Sequence, residues 1–539
     1  MEQKMYIKAY TREAVPGIYP DGLARSVHFA SSRDGVQFEP LNQNYGMLFA
    51  KGCIREDNTI CPKGVEHPGI KKITEGTYLI AAKRTEENGS AEKEQHVVCW
   101  ETKDFLEFTE ITFPQELSLD EFKDTAEVEP ELYPEWMCRW GRIANVKMEV
   151  PEIVTVHSLE ELQNVRVEAV YSDGSRAQKC VEWETDNLDF SKEQTVQVAG
   201  IVRQQKYPFP LARGFADPVL LQWEGKWYYI STNDNTDNVG IYVREADTIP
   251  ELFAKDVKMH LILDYDEEKD FIQTFWAPEF HQIGGELYIL LAIGGKVWAP
   301  QCHMMKLKKG GRIIDPNSWE TPVRVCRKDG SPLAPNGISL DMTYLNVKSG
   351  SWLIWSYREH IGSALDTGSM LYIAKADETQ PWRLAGEPVL LSRPLYGWEN
   401  MEGTINNEGP YAFVKDGMVY LTYSGGAANG YSYALGLLTA SEDADLSDLE
   451  NWKKSTTAVM SYYSVDGEYG PGHNSFFRDE EGNLMIAYHG VEAIDAHIRC
   501  TGIRRVHFDR TGRPVFNLSE ERDVNPELRN VFMQVNICK

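Results

Sequence analysis

Five short apolar or alternating runs, each just after a Gly-containing turn, recur through the chain: 226–232 (KWYYIST), 286–292 (ELYILLA), 351–357 (SWLIWSY), 418–424 (MVYLTYS) and 483–489 (NLMIAYH). Their starts lie about 60 to 70 residues apart. Long helical periodicity is almost absent, so the recurring unit is built from short strands. A sheet of that size cannot bury both faces alone, and repetition lets each sheet cover its neighbour. The expectation is an all-β chain whose main domain is a five-bladed β-propeller. The repeat is longer than the roughly 40 to 50 residues of common propeller families, so long loops must join the strands. Such loops are where a site is built.

Composition agrees with strands and turns. The 14 Trp, 26 Tyr and 20 Phe make 11% aromatic, beside 42 Gly and 26 Pro. Such a mixture suits short strands, turns and sugar-stacking surfaces. The 81 acidic against 55 basic residues give a formal charge of −26. So acidic a surface repels phosphate backbones and anionic headgroups, so neither nucleic acid nor a membrane surface is expected as a partner. A mean hydropathy of −0.42 and the lack of any apolar run of about 18 residues argue against a membrane span. The N-terminal residues carry no apolar leader segment, and nine scattered cysteines without CxxC pairs read as reduced thiols. A cytoplasmic location is the expectation.

Three regions are expected. Residues 1–145 form a β-rich region, with hairpins at 26–41 and 96–111 and a solvated acidic stretch at 116–135 that carries eight acids and one Lys. Residues 146–203 read as a small β-sandwich with a hairpin turn at Tyr171-Ser172-Asp173-Gly174 and one Trp, Trp183. It resembles the short bacterial Ig-like domains found beside carbohydrate-active modules, and a supporting role is expected. Residues 204–539 carry the propeller.

Three carboxylates stand out within that last region. Asp217 lies in Arg213-Gly214-Phe215-Ala216-Asp217-Pro218, Asp341 in Gly337-Ile338-Ser339-Leu340-Asp341-Met342, and Glu408 in Asn406-Asn407-Glu408-Gly409-Pro410-Tyr411. Each is expected where the chain runs into an innermost strand, and innermost strands converge on the propeller axis. Converging carboxylates suit glycosidic hydrolysis, which needs a protonated acid at the leaving oxygen and an ionised base for water. Burial and mutual repulsion separate their pKa values. Hard-cation binding, as of Ca²⁺, is the competing chemistry.

The set Phe-Ala-Asp-Pro (215–218), Phe275-Trp276-Ala277-Pro278-Glu279, Ser339-Leu340-Asp341, Glu408-Gly409-Pro410 and Gly470-Pro471-Gly472-His473-Asn474 resembles glycoside hydrolase family 43 over about 205–515. The resemblance implies a five-bladed propeller that cleaves pentosides with inversion and needs no cofactor. It further implies that Asp217 is the general base, Glu408 the general acid and Asp341 the residue that modulates the acid. Inversion would place base and acid roughly 6.5–9.5 Å apart. Phe215, Trp276, Arg358 and His473 are the implied substrate-binding positions, and His473 the residue that would help hold a Ca²⁺ or Na⁺ ion at the axis through water. Trp227, Trp352, Trp355 and Trp223 are expected in blade cores. Trp298 is a further subsite candidate and Trp398 a candidate for the pocket entrance. The expected activity is release of α-L-arabinofuranose from neutral oligosaccharides. A β-xylosidase or a noncatalytic carbohydrate-binding propeller are the alternatives, and a phosphorolytic relative is disfavoured because Arg213 and Arg358 make no convincing phosphate site.

Overall fold

The computed structural model describes residues 4–401 and 403–539. Five four-stranded antiparallel sheets follow one another along 212–505. Their innermost strands are Phe215–Trp223, Gln273–Ile283, Gly337–Val347, Glu408–Lys415 and Tyr469–Arg478. Neighbouring innermost strands touch around a closed ring, the last against the first. The ring is sealed by chain exchange. The outermost strand of the fifth sheet is Ala212–Arg213, which pairs with Cys500–Arg505 although it precedes the first sheet in sequence. This closure leaves no sheet free to splay from the ring.

The five repeating runs turn out to be second strands: Lys226–Asn233, Glu286–Gly294, Gly350–Glu359, Met418–Gly425 and Leu484–Val491. They are buried along most of their length because neighbouring sheets cover both their faces. Trp227, Trp352 and Trp355 are fully buried there, as expected of blade cores.

Residues 5–128 form two four-stranded sheets that share one apolar core, with Ile7, Phe29, Ile80, Trp100 and Trp136 at its centre. The hairpins at 26–41 and 96–111 are present, each turned by a hydroxyl and an acid: Ser32 with Asp34, and Thr102 with Asp104. The acidic stretch 116–135 is more than a solvated excursion. Within it Thr125–Val128 pairs with Met5–Lys8 as an edge strand, and the helix Leu132–Trp140 that follows buries Trp136, whose Nε1 donates to Asp104 O at 2.6 Å. Its acids face water while its alternate residues complete a sheet, so charge density alone concealed the strand.

The small module has a three-stranded sheet containing the Val167–Tyr171/Arg176–Lys179 hairpin and a four-stranded one. The chain's last strand, Asn530–Ile537, sits inside the latter, antiparallel to Gln194–Val202 and parallel to Ile153–Val156. The expected third region, 204–539, therefore ends in a strand that completes the sheet of the second. Val531, Met533, Val535 and Ile537 point into that module's core.

Candidate functional site

The innermost strands share a local device. In each, the pairing with the second strand shifts register, once in the first, third and fourth blades and twice in the second and fifth, and a residue at the equivalent bulge has a left-handed backbone: Asp217 (φ 54°), Ala277 (φ 44°), Asp341 (φ 53°), Gly409 (φ 55°) and His473 (φ 43°). Just before it, Ala216, Trp276, Leu340, Glu408 and Gly472 pair with Thr232, Ala292, Ser356, Ser424 and His489. These register pairs make the positions equivalent across all five blades. Asp217 and Asp341 occupy the bulge position itself, and Glu408 the position before it. A bulge turns one side chain out of the strand's alternation, here toward the axis, at a cost in backbone strain.

The second-strand partners latch the bulges. Ala277 N donates to Thr232 Oγ1 at 2.8 Å, His473 N to Ser424 Oγ at 2.8 Å and Asp217 N to His489 Nδ1 at 3.2 Å. Gly409 N donates to Asp341 Oδ2 at 3.1 Å, and Ser356 Oγ donates to the same oxygen at 3.0 Å. Apart from the Ser356–Asp341 bond, which lies within the third blade, each latch joins one blade to the next. The second-strand positions carry a signal that sequence reading did not use: Thr232, Ser356 and Ser424 follow the bulge residue of their own blade by 15 residues and His489 by 16, while the second blade has Ala292 there.

Asp217, Asp341 and Glu408 line one cavity of about 640 Å³, together with Trp276, Arg358 and His473. Asp217 Oδ2 accepts from Thr232 Oγ1 at 2.5 Å. Its Oδ1 accepts no hydrogen bond from the protein, yet lies 3.2 Å from His473 Nδ1 and 3.6 Å from Arg499 Nη1. Burial alone would raise this carboxyl, but the positive field of His473, Arg499 and His489 outweighs it and holds Asp217 well below the usual carboxylate range. Among these Arg499 is the lasting charge. Burial holds His473 down at about 4, which leaves it neutral at pH 7, and His489 Nδ1 accepts the Asp217 N–H while Nε2 donates to Ala428 O at 2.8 Å. Arg499 is itself fixed by a fork onto Asp234, at 2.6 and 3.0 Å.

The other two acids are displaced the opposite way. Burial raises Asp341 well above its ordinary value, and the charges of Glu408 and Asp217 add to it. Burial also raises Glu408, against the pull of Tyr433, whose hydroxyl donates to Oε1 at 2.8 Å. A fourth acid, Glu279, is raised by burial and lies 2.7 Å from His281 Nε2, deeper along the second innermost strand. One cavity thus holds an acid displaced downward beside acids displaced upward, the arrangement that lets like groups act as base and acid.

Not every expected residue is at the cavity. Phe215 is a correction: its ring is buried under the Arg244 guanidinium, 4.6 Å from the centroid, and against Tyr229, in the core between the first and fifth blades. It precedes the bulge, so it keeps the strand's alternation and faces the packed side. Trp398 is another. It is fully buried, with Nε1 donating to Thr456 O at 3.1 Å, and shapes no pocket entrance. Trp276 and Trp298 do line the cavity and meet edge to face, with ring centroids 6.4 Å apart. Arg358 forks onto Asp366 at 2.7 and 2.8 Å while standing close enough to Glu408 to stabilise its charge.

Thr232, Ser356, His489, Arg499 and Tyr433 went unnoticed in the sequence. The first three obey the 15- or 16-residue rule. Both Arg499 and Tyr433 lie in loops; Arg499 meets Asp217 only through closure of the ring, whereas Tyr433 meets Glu408 within the fourth blade. As for a metal, no group of three or more His, Cys, Asp or Glu is arranged to hold one among the described residues. His473 brings only its buried, unpartnered Nε2. One imidazole nitrogen is not a donor set, so the residues do not fit an ion bound directly by the protein.

A family model described as glycosyl hydrolases family 43 matches residues 207–514. An extracellular exo-α-(1→5)-L-arabinofuranosidase of Streptomyces avermitilis is 31% identical over 328 residues, covering 59% of this chain and 64% of that protein. A protein of the same description from Streptomyces chartreusis is 31% identical over 289 residues, covering 53% of this chain and 83% of that one. The crystal structure of an α-L-arabinofuranosidase from Lactobacillus brevis superposes with a TM-score of 0.50 at 27% identity, over 58% of this chain and 96% of the other. The chain thus spans less than two thirds of the Streptomyces avermitilis relative. The relatives' names overturn the cytoplasmic expectation, since both Streptomyces proteins are described as extracellular. That expectation had leaned on where the sequence begins, which carries no such information.

Proposed function

The chain belongs to glycosyl hydrolases family 43, and on that premise we propose that it hydrolyses α-L-arabinofuranosidic bonds with inversion. The observation that carries the reading is the opposite displacement of Asp217 and Glu408 within one cavity. Ionised Asp217 takes a proton from a water. The water oxygen bonds to the anomeric carbon, the glycosidic C–O bond breaks, and the leaving oxygen takes the proton of Glu408. Asp341 acts through position. Its Oδ2 holds the N–H of Gly409, the residue next to Glu408, so it sets the orientation of the acid. The face of Trp276 stacks on the C–H face of the sugar.

The names of the relatives support arabinofuranose as the released sugar. With the cytoplasmic expectation gone, nothing confines the substrate to short oligosaccharides, and neutral arabinose-bearing polymers join them. Incubation with α-1,5-linked arabino-oligosaccharides and with 4-nitrophenyl α-L-arabinofuranoside tests the activity, and NMR of the first-formed anomer tests the stereochemistry. Absence of turnover on both substrates, or a retained anomer, overturns the reading.

A further inference from the structure

The acid Glu408 begins an innermost strand, and the chain reaches it through a long excursion, residues 393–407, that leaves the third blade at Ser392. That excursion rests on the N-terminal region. Gly52 N donates to Leu395 O at 2.7 Å. Arg393 forks onto Asn58, with Nη1 2.6 Å from Oδ1 and Nη2 2.8 Å from the backbone O. At Gly22 and Gly397 the two backbones touch: a Cβ on Gly22 would stand 2.8 Å from Gly397 O, and one on Gly397 would stand 2.3 Å from Gly22 O. Only glycine allows so close an approach.

Behind this contact lies a buried polar network that ends beside the acid. Lys454 Nζ bonds Arg393 O at 2.9 Å and Glu399 Oε1 at 2.6 Å. Glu399 is fully buried, and the same Oε1 accepts from Tyr423 OH at 2.8 Å and from Asn407 Nδ2 at 2.9 Å, while Oε2 accepts from Tyr396 N at 2.9 Å. Ser392 Oγ donates to Asn407 Oδ1 at 2.7 Å. Asn407 is the residue before Glu408. A buried ion pair of this kind adds little to stability compared with apolar packing, but it holds one geometry, because losing any partner strands a charge.

We propose that the N-terminal region is a brace for catalysis, positioning Glu408 through the Asn58–Arg393 fork, the Gly22–Gly397 contact and the Glu399–Lys454–Asn407 network. The described residues of 1–200 line no part of the cavity, so the region acts through this excursion rather than by touching substrate. The proposal rests on the reading of Glu408 as the general acid. A displaced acid fails most where the leaving group most needs a proton, and a shift of about 1 Å costs up to 10²-fold.

The test compares an arabino-oligosaccharide, whose alkoxide leaving group needs protonation, with 4-nitrophenyl α-L-arabinofuranoside, whose leaving group hardly does. The variants are Asn58→Gly, which removes the side-chain acceptor where φ is already 68°, Gly22→Ala, which wedges the contact, and Glu408→Gln as reference, all in the full chain. In both brace variants, kcat on the oligosaccharide falls about tenfold and kcat on the aryl substrate less than about twofold, with KM steady, a small copy of the Glu408→Gln pattern. If Glu408→Gln separates the two substrates but both brace variants keep the wild-type ratio, or lose both rates equally, the brace is wrong. If Glu408→Gln itself lowers both rates equally, the reading of Glu408 falls and the brace with it.

Discussion

Asp217 and Asp341 are the same residue type at the same place in the first and third blades, with nearly equal φ and similar burial. They are displaced in opposite directions. The fold supplies the position, and the neighbours supply the protonation state. Asp217 stands beside Arg499 and holds a single hydroxyl bond from Thr232. Asp341 has no cation at hand, and it faces Glu408 and Asp217. The second blade completes the lesson: it keeps the bulge and its register with Ala277 where the first and third blades have aspartate. Five copies of one backbone device thus carry three different chemistries.

The largest expected effect comes from removing the displaced groups. Asp217→Asn and Glu408→Gln each lower kcat on an arabino-oligosaccharide by about 10²–10⁴-fold. Steady-state kinetics on purified variants with unchanged melting curves checks this, and a loss below about tenfold in either breaks the contrast between base and acid.

Next comes Arg499→Gln, which leaves the acids in place and alters only the field around Asp217. The base works ionised, and removing a positive neighbour raises its pKa. The acid limb of the pH profile of kcat/KM therefore moves to higher pH, with the loss greatest at the lowest pH assayed and shrinking as pH rises. A uniform loss at all pH values would mean that Arg499 binds substrate instead of tuning the base. Smaller still is Thr232→Val, which removes the bond to Asp217 Oδ2 and the latch on Ala277. A net hydrogen-bond contribution of about 1 kcal/mol corresponds to roughly a fivefold fall in kcat.

Much of this arrangement was legible in the sequence, in proportion to how local its cause was. The strand runs and their spacing follow from apolar side chains and turns, so the all-β propeller could be read directly. Asp217, Asp341 and Glu408 stood out because all three precede a repeat run at the same place, two of them with Pro within the next two residues. Thr232 and Ser356 did not, since a hydroxyl in a strand is unremarkable until its register with a bulge is known. Arg499 meets Asp234 across 265 residues, and Asn530–Ile537 joins Gln194–Val202 across more than 300, so ring and sheet closure alone bring them together. Phe215 and Trp398 were misplaced because an aromatic beside a motif has the same composition whether it faces the cavity or the core.

The smallest effect is on stability, and it sharpens the opening contrast by changing sign. Asp217 has a depressed folded pKa, so it contributes stability that is present above its unfolded value of about 3.9 and is lost as pH falls through the folded one. Asp341 has a raised folded pKa, so its favourable term exists only at low pH and disappears as pH rises toward that folded value; at neutral pH it weakens the fold. Asparagine keeps the shape of each side chain without the titration. At pH 7, Asp217→Asn should therefore lower Tm and Asp341→Asn raise it, each by about 1–2 °C for a term near 1 kcal/mol in a chain of this size. Both differences should narrow as pH approaches 4, where unfolded aspartate begins to protonate. Calorimetric scans between pH 4 and 7 read this directly. If both substitutions move Tm the same way, the two blades do not hold their aspartates in opposite states, and the division of roles between them fails.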